Sequence, residues 1–387
     1  MAPPVYLDYN ATTPLDPEVV EAMRPYLEEH FGNPASSHWY GIAPRKAVDN
    51  ARVQVASLLG CSPSEVIFTS CGSESNNFAI KGITRMHQEK GRHIITSRIE
   101  HPAVLEVCAF LEENGFEISY LPVDEHGQVS VTHVEQAIRQ DTVLISIMHA
   151  NNEVGSIQPI ADIARLAHER GIIMHSDAAQ SLGKIPVNVL DLGVDLLSIA
   201  GHKLYAPKGV GALYVKETFK PARLIHGAGQ EMGMRAGTEN VLEIVGLGKA
   251  CEIARRDLQS NIKYMQRLRD RLHSALRAEI EEIRLNGHPE KRLPNTLSLA
   301  FKGLEANRLL EEIGLDVAAS AGAACHADTV EISHVLKAMG MEEQWAKGTL
   351  RFSTGRMTTA DEIDRAVKAI TKAVHALRVR QGRENEF

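Results

Sequence analysis

Between residues 60 and 215, short apolar runs alternate with longer stretches whose apolar residues recur at helical spacing. The short runs fall at 66–68, 93–96, 143–148, 172–175, 194–200 and 211–215. Each reads as a buried strand. Helices are predicted from about 73, over 102–111 and over about 160–170. Upstream, Asp16 can cap a helix over 17–30, with Pro17 in its first turn and Val19, Val20, Met23 and Leu27 on one face. A second helix is predicted over 43–59. Strands separated by helices of this length need crossover connections, which predicts an α/β fold with a mostly parallel sheet covered on both faces.

The pattern changes near residue 240. Positions 241–285 are charged and helical in period, with Leu268, Leu272 and Leu276 every four residues. They predict one long or broken helix leaving the large unit. A smaller α/β unit follows, with strands at 296–300 and 350–353 and helices at 304–313 and 359–378. The tail from Gln381 is polar and expected to fray.

Composition narrows the functional classes. The 387 residues are 44% hydrophobic and 24% charged, with a net charge of −7. That balance argues against nucleic acid or an anionic membrane as the main partner. No uncharged apolar run reaches the ~18 residues that span a bilayer. The start shows neither a basic nor an apolar signal segment, and a cytoplasmic protein is expected. The five cysteines (Cys61, Cys71, Cys108, Cys251, Cys325) form no C-x-x-C pair, so neither a disulfide framework nor a metal site is expected.

In open parallel sheets, ligands bind beyond the carboxyl ends of the strands, and here those positions are strongly polar. After 66–68 comes Cys71-Gly72-Ser73-Glu74, a small-residue turn opening a helix. It suits a phosphate, or is simply a capped helix start. After 93–96 comes Glu100-His101, where His101 is an ordinary helix-start residue, a ring stacking on a flat cofactor, or an acid/base group. After 143–148 comes Asn151-Asn152, read as a turn or as a hydrogen bond to a ligand oxygen. After 172–175 comes Asp177, a helix cap or the acid partner of a cationic ring nitrogen. After 194–200 comes Gly201-His202-Lys203. A lysine there is ordinarily a solvated residue; the sharper reading is an amine that forms a Schiff base with a carbonyl or with pyridoxal 5′-phosphate (PLP). Five such signals at successive strand ends reinforce one another.

Their order resembles the fold-type I PLP-dependent transferases of the class V aminotransferase type. More closely, it resembles the group I (NifS/IscS-like) cysteine desulfurases and the related selenocysteine lyases. The resemblance spans the chain. It rests on Tyr6-Leu7-Asp8-Tyr9-Asn10-Ala11-Thr12-Thr13-Pro14, Gly32-Asn33-Pro34, Gly72-Ser73-Glu74-Ser75-Asn76-Asn77, Glu100-His101 and Asn151-Asn152-Glu153-Val154-Gly155. It continues through Asp177-Ala178-Ala179-Gln180-Ser181, Gly201-His202-Lys203, Arg235-Ala236-Gly237-Thr238-Glu239-Asn240, Cys325 and Arg351-Phe352-Ser353-Thr354-Gly355-Arg356. It implies a large PLP-binding domain over 15–256 and a small domain made of 1–14 and 257–387. It also implies roles. Lys203 carries PLP, Asp177 pairs with the pyridine nitrogen, and His101 stacks on the ring and moves protons. Asn152 and Gln180 contact the phenolic-oxygen side. Gly72, Ser73 and His202 bind phosphate, with Thr238 supplied from the partner subunit of a homodimer. Arg351 holds the substrate carboxylate and Asn33 lies near substrate. Two residues depart from the family pattern: Ala200 replaces a Ser or Thr two residues before the phosphate-site histidine, and Cys71 replaces a glycine.

Cys325 sits in the run Ala318-Ala319-Ser320-Ala321-Gly322-Ala323-Ala324-Cys325-His326. Small residues pack poorly, so a mobile loop is expected, with His326 beside the thiol to favour thiolate. With the resemblance, Cys325 is the expected nucleophile. L-Cysteine displaces Lys203, a proton leaves Cα, the Cys325 thiolate attacks the substrate sulfur, and alanine leaves a persulfide for a sulfur-acceptor or scaffold protein serving iron–sulfur or thiolation pathways. Gly-Ala-Ala-Cys-His before Ala-Asp, and an apolar residue before Gly-His-Lys, look more like the selenocysteine lyases, so L-selenocysteine remains an alternative substrate. An aminotransferase would not require Cys325. A catalytically silent PLP-fold scaffold would not require Lys203, Asp177, His101 and Cys325 together.

Overall fold

The apolar runs of the first half become the strands of one sheet. The computed structural model describes the backbone of residues 3–326 and 329–384, and the side chains of these except 323–331 and 382–384. After β1 (Val5–Tyr6), the strands β2 (Val66–Thr69), β3 (His93–Ser97), β4 (Glu117–Leu121), β5 (Thr142–Ser146), β6 (Ile173–Asp177), β7 (Leu196–Ala200) and β8 (Gly211–Val215) follow in chain order. The last seven form a sheet in the order β2-β8-β7-β6-β5-β3-β4. Its β4-β3-β5-β6-β7 ladder is parallel, and β8 is antiparallel to both β7 and β2. The residues after β2, β3, β5, β6 and β7 therefore emerge on one edge. Helices Gly72–His87 and Pro102–Glu113 cover one face, over Ile67, Ile94, Leu144 and Leu213. Helices Pro17–Glu28, Trp39–Leu59 and Ile160–Glu169 cover the other, over Phe68, Ile95, Ile145 and Leu197.

The predicted long helix is a single unbroken one, Val241–Glu279. It divides its apolar side chains between two cores: Ile244 to Ala254 join the first, and Leu268, Leu272 and Leu276 join a second with Val5, Leu7, Phe301 and Phe352. Gly248 permits its crossing of Trp39–Leu59, since a Cβ there would fall 2.6 Å from the Ala51 Cβ. The helix stops at Ile280, which is extended, and positions 283–285, predicted as helix, belong to β9 (Ile283–Asn286) instead.

Six more strands follow, β10 (Thr296–Phe301), β11 (Val317–Ala318), β12 (Ser320–Ala321), β13 (Ala323–His326), β14 (Thr329–Ile332) and β15 (Thr349–Ser353), and the second core takes residues from β10, β11 and β15. An antiparallel sheet runs β12-β15-β10-β9, and β1 pairs in parallel with β11. The chain start is thus built into the C-terminal unit. The small-residue stretch expected as a mobile loop forms a backbone hairpin, β13–β14, in which Cys325 pairs with Val330. Strand-forming Thr329, Val330 and Ile332 supply the partner that the small residues lack by themselves. Among the described residues, no helix is long and apolar enough to cross a membrane.

Candidate active site

A cavity of about 350 Å³ opens where those five strand ends meet Arg351 of β15 and the Asn10-Ala11 segment that follows β1. Its wall includes Gly72, Ser73, His101, Asn152, Asp177, Gln180, His202, Lys203 and Arg351. Two other expected site residues lie elsewhere. Asn33 is exposed on its own turn, where its Oδ1 accepts the Ala35 N–H at 2.9 Å. Thr238 is exposed beside a separate cavity, with Thr69, Ser70 and Arg235. Cys325 lies on the β13 backbone, and its side chain falls outside the described residues.

One end of the cavity is an anion cradle. Helix Gly72–His87 begins there, and its first-turn N–H groups at Gly72 and Ser73 have no intrahelical acceptor. The cap is Cys71 rather than a serine: its Sγ accepts the Glu74 N–H at 3.5 Å. Glu74 folds back to accept the Ser70 N–H at 2.8 Å and is clamped by Arg235 at 2.9 Å, which stiffens the turn. Ala200 faces it so closely that a Cβ on Gly72 would lie 3.1 Å from the Ala200 Cβ. His202 completes this end. Burial, then the neighbouring Lys203, pull its pKa down to about 4, and its Nδ1 lies 3.2 Å from the Thr12 Oγ1.

Lys203 sits in the middle. Its Nζ donates to the carbonyl oxygens of Asn10 at 2.6 Å and Ala11 at 2.7 Å. Burial, with Arg351 second, lowers its pKa to about 8, while Asp8 and Asp177 oppose the shift. A neutral amine is therefore within reach near physiological pH, as a carbonyl-capturing lysine requires. Asp177, buried at the end of β6, accepts from Asn76 Nδ2 at 2.7 Å and from the Ala179 N–H at 2.8 Å, which fixes its carboxylate plane. Across from it, His101 Nδ1 accepts the Ala103 N–H at 3.1 Å, so the neutral ring carries its proton on Nε2. Desolvation lowers the pKa of this ring, against the pull of Asp177.

At the far end, Arg351 Nη2 donates to Asp8 Oδ1 at 2.7 Å and Ser320 Oγ at 3.0 Å, and Nη1 donates to the Asn152 carbonyl at 3.2 Å. Its Nε is buried without a partner among the described residues. The guanidinium is thus held in one orientation, paired with the Asp8 carboxylate.

The residues fit PLP on these observations. An anion cradle, an amine of lowered pKa and a pinned carboxylate line one cavity of suitable volume. Several contributors were not expected. Glu100 is fully buried; burial pushes it up to about 8, and its carboxyl receives the Met148 N–H at 3.0 Å, pinning the segment after β5. Asn10, Asp8, Asn76 and Lys184 support the wall. Asp8, Asn10 and Asn76 lie inside the motifs quoted above. Lys184 follows Gln180 by one helical turn's spacing, a signal indistinguishable from a surface lysine.

Comparison with known proteins follows the same lines. The aminotransferase class-V family profile matches residues 5–366. The cysteine desulfurase IscS of Dictyoglomus turgidum is 48% identical over 375 residues, covering 97% of this chain and 95% of that protein. The cysteine desulfurase IscS of Klebsiella pneumoniae is 47% identical over 380 residues, covering 97% and 94%. Among solved structures, a NifS-like protein superposes with a TM-score of 0.90 at 40% identity, covering 96% of this chain and 99% of that one. SspA in complex with cysteine gives 0.78 at 37% identity, covering 92% and 99%.

Proposed function

The chain belongs to the class-V aminotransferase family, and from that premise we propose that it is a PLP-dependent cysteine desulfurase, converting L-cysteine to L-alanine and passing the sulfur to Cys325. The observation that carries this reading is the meeting of Lys203, Asp177, the Gly72–Ser73 helix start and Arg351 around one cavity, in a chain nearly half identical to cysteine desulfurases along its length. Relatives named as cysteine desulfurases give no support to a selenocysteine lyase over this activity.

In this reading PLP, when bound, supplies an electron sink for the charge left at the substrate Cα. The chain supplies the rest. The Lys203 amine holds the cofactor and yields it to the substrate amine. Asp177 keeps the ring nitrogen protonated. Neutral His101 packs over the ring and carries a proton. The N–H groups of Gly72 and Ser73, with His202, bind the phosphate, while Asn152 and Gln180 meet the phenolic side. Arg351 exchanges Asp8 for the substrate carboxylate, and Asn33 lies on the approach. The Cys325 thiolate attacks the substrate sulfur. The Cβ–S bond breaks, an S–S bond forms on Cys325, and a proton replaces sulfur on the substrate carbon. Thr238, exposed and not among the residues that line this chain's cavity, serves the phosphate site of a second copy in a homodimer. A sulfur-acceptor or scaffold protein then takes the persulfide sulfur. A cytoplasmic setting is supported by the free state of the four described cysteines.

The test is turnover of L-cysteine and of L-selenocysteine on the purified protein, following alanine, sulfide and selenide. Alanine and protein persulfide should form from L-cysteine, cease in Cys325→Ala, and cease together with the visible cofactor band in Lys203→Ala. Turnover of L-selenocysteine alone would replace this reading with a lyase. Cysteine turnover that survives Cys325→Ala would remove the persulfide route.

A further inference from the structure

Behind Lys203 lies a second buried lysine that the reaction does not use. Lys184 is 5% exposed, and among the described residues no carboxylate lies within ion-pair distance of its amine. Its Nζ donates to Gln180 Oε1 at 2.7 Å and Asn10 Oδ1 at 3.2 Å. A buried lysine with two amide oxygens and no counter-charge is costly, and burial with Lys203 and Arg351 nearby lowers its pKa well below the usual value.

Its geometry constrains Gln180. A carboxamide can present oxygen or nitrogen at either end. Here the Asn10 carbonyl, which only accepts, receives Gln180 Nε2 at 2.9 Å. Lys184, which donates, takes the other end. Both neighbours force the same orientation. One Nε2 hydrogen is used on Asn10, and the second has no partner among the described residues on a side chain that lines the cavity. The Lys203 Nζ shares the Asn10 carbonyl, at 2.6 Å. The free Gln180 N–H is therefore a near neighbour of the carbon that Lys203 captures. In PLP the phenolic oxygen is ortho to that carbon.

We propose that Lys184 is a positioning residue: it locks the Gln180 carboxamide so that an N–H, and never a carbonyl oxygen, meets the cofactor's phenolic oxygen. The inference rests on the cavity holding PLP. An N–H donor there stabilises the oxyanion and draws electron density from the neighbouring nitrogen, which lowers the pH at which that nitrogen loses its proton. The other charged and titratable groups around Lys203 are Arg351, Asp8, Asp177, His101 and His202.

The experiment compares Lys184→Met, Gln180→Leu and the double variant, each depleted of cofactor and reloaded with PLP. Two readouts are taken: PLP affinity of the apoprotein and the pH midpoint of the visible band. Each single variant should bind PLP about tenfold more weakly. Each should raise the midpoint by about one unit, and the double variant should add little to either. Lys184→Arg, which keeps the donor, should return the midpoint toward wild type. Should Lys184→Met fail to fold, Lys184→Gln, which can offer either amide end, carries the same expectation at smaller size. Unchanged affinity and midpoint in Lys184→Met, or shifts that add fully in the double variant, would overturn the proposal. A wild-type protein that takes up no PLP would instead overturn the cofactor reading itself.

Discussion

The two sides of the cavity are built in opposite ways. Behind Lys203, the Asn10 side chain is saturated: its Oδ1 accepts from Lys184 and Asn295, and its Nδ2 donates to Thr296 Oγ1 at 2.8 Å and the Asn152 carbonyl at 3.1 Å. Its backbone N–H reaches Ser353 Oγ at 2.9 Å, and its carbonyl serves Gln180 and Lys203. At the cradle end, Ala200 brings no polar side-chain atom, Cys71 caps through a weak sulfur acceptor, and the main-chain N–H groups of Gly72 and Ser73 remain for a ligand. The wall is finished before anything binds, so its donors are oriented at no further cost. The cradle is finished by its anion. Changes in the wall should therefore damage folding as well as function, whereas changes in the cradle should tune affinity and can improve it.

The strongest way to break that contrast is Asn10→Ala. It removes one hydrogen bond each from Lys184, Asn295, Thr296 and the Asn152 carbonyl, all on the inner side of the wall. We expect a loss on the order of 3 kcal/mol in urea unfolding of the apoprotein. A loss under ~1 kcal/mol would mean that the wall is not preorganised. Next is the pH response of Lys203. Only its neutral amine captures a carbonyl, so PLP uptake by the apoprotein, followed by stopped-flow absorbance, should rise about tenfold per pH unit and level off near pH 8. The same group shapes stability. The unfolded chain keeps that proton up to about 10.5 and the folded chain only up to about 8. Between these values the unfolded state binds more protons, so this contribution to stability rises with pH across the window. It should vanish in Lys203→Met.

Two smaller effects sharpen the cradle side. Ala200→Ser places a hydroxyl beside Gly72 and should tighten PLP binding about fivefold, the worth of one added hydrogen bond, measured by equilibrium dialysis. No gain would show that the cradle already satisfies its anion. Cys71→Ser replaces a sulfur cap by a good oxygen cap on the helix Gly72–His87 and should stabilise the apoprotein by about 0.5–1 kcal/mol in thermal melts.

What could be read from the residues follows the same division. Strand ends announce themselves, because an apolar run followed by polar chemistry is a local signal. Lys203, Asp177, His101 and the Gly72 turn were all legible that way. The wall was not, because its bonds join distant segments: Asn10 meets Thr296 across 286 positions. Asp8 on Arg351 and Asn10 on Lys184 likewise depend on which distant segments abut, and periodicity carries no trace of that. Alanine and glycine have weak strand preference, so the stretch around Cys325 reads as a loop, while its pairing comes from the partner strand Thr329–Ile332. The charged, helical-period stretch from 241 reads as one long or broken helix; it is unbroken, with Gly248 at the crossing with Ala51 and Gly246 against Pro207 and Met23.

The parallel pairing of Val5–Tyr6 with Val317–Ala318 also bears on biosynthesis. Asn10 leaves the ribosome 343 positions ahead of its Ser353 partner. At ordinary elongation rates of ~5–20 residues per second, that interval lasts roughly 17–70 s. Throughout it the large sheet can assemble while Lys203 lacks its finished wall and Arg351 does not yet exist. A nascent or truncated chain that stops short of Arg351 therefore has no complete cavity, and a closed cavity reports that the β15 segment has been made.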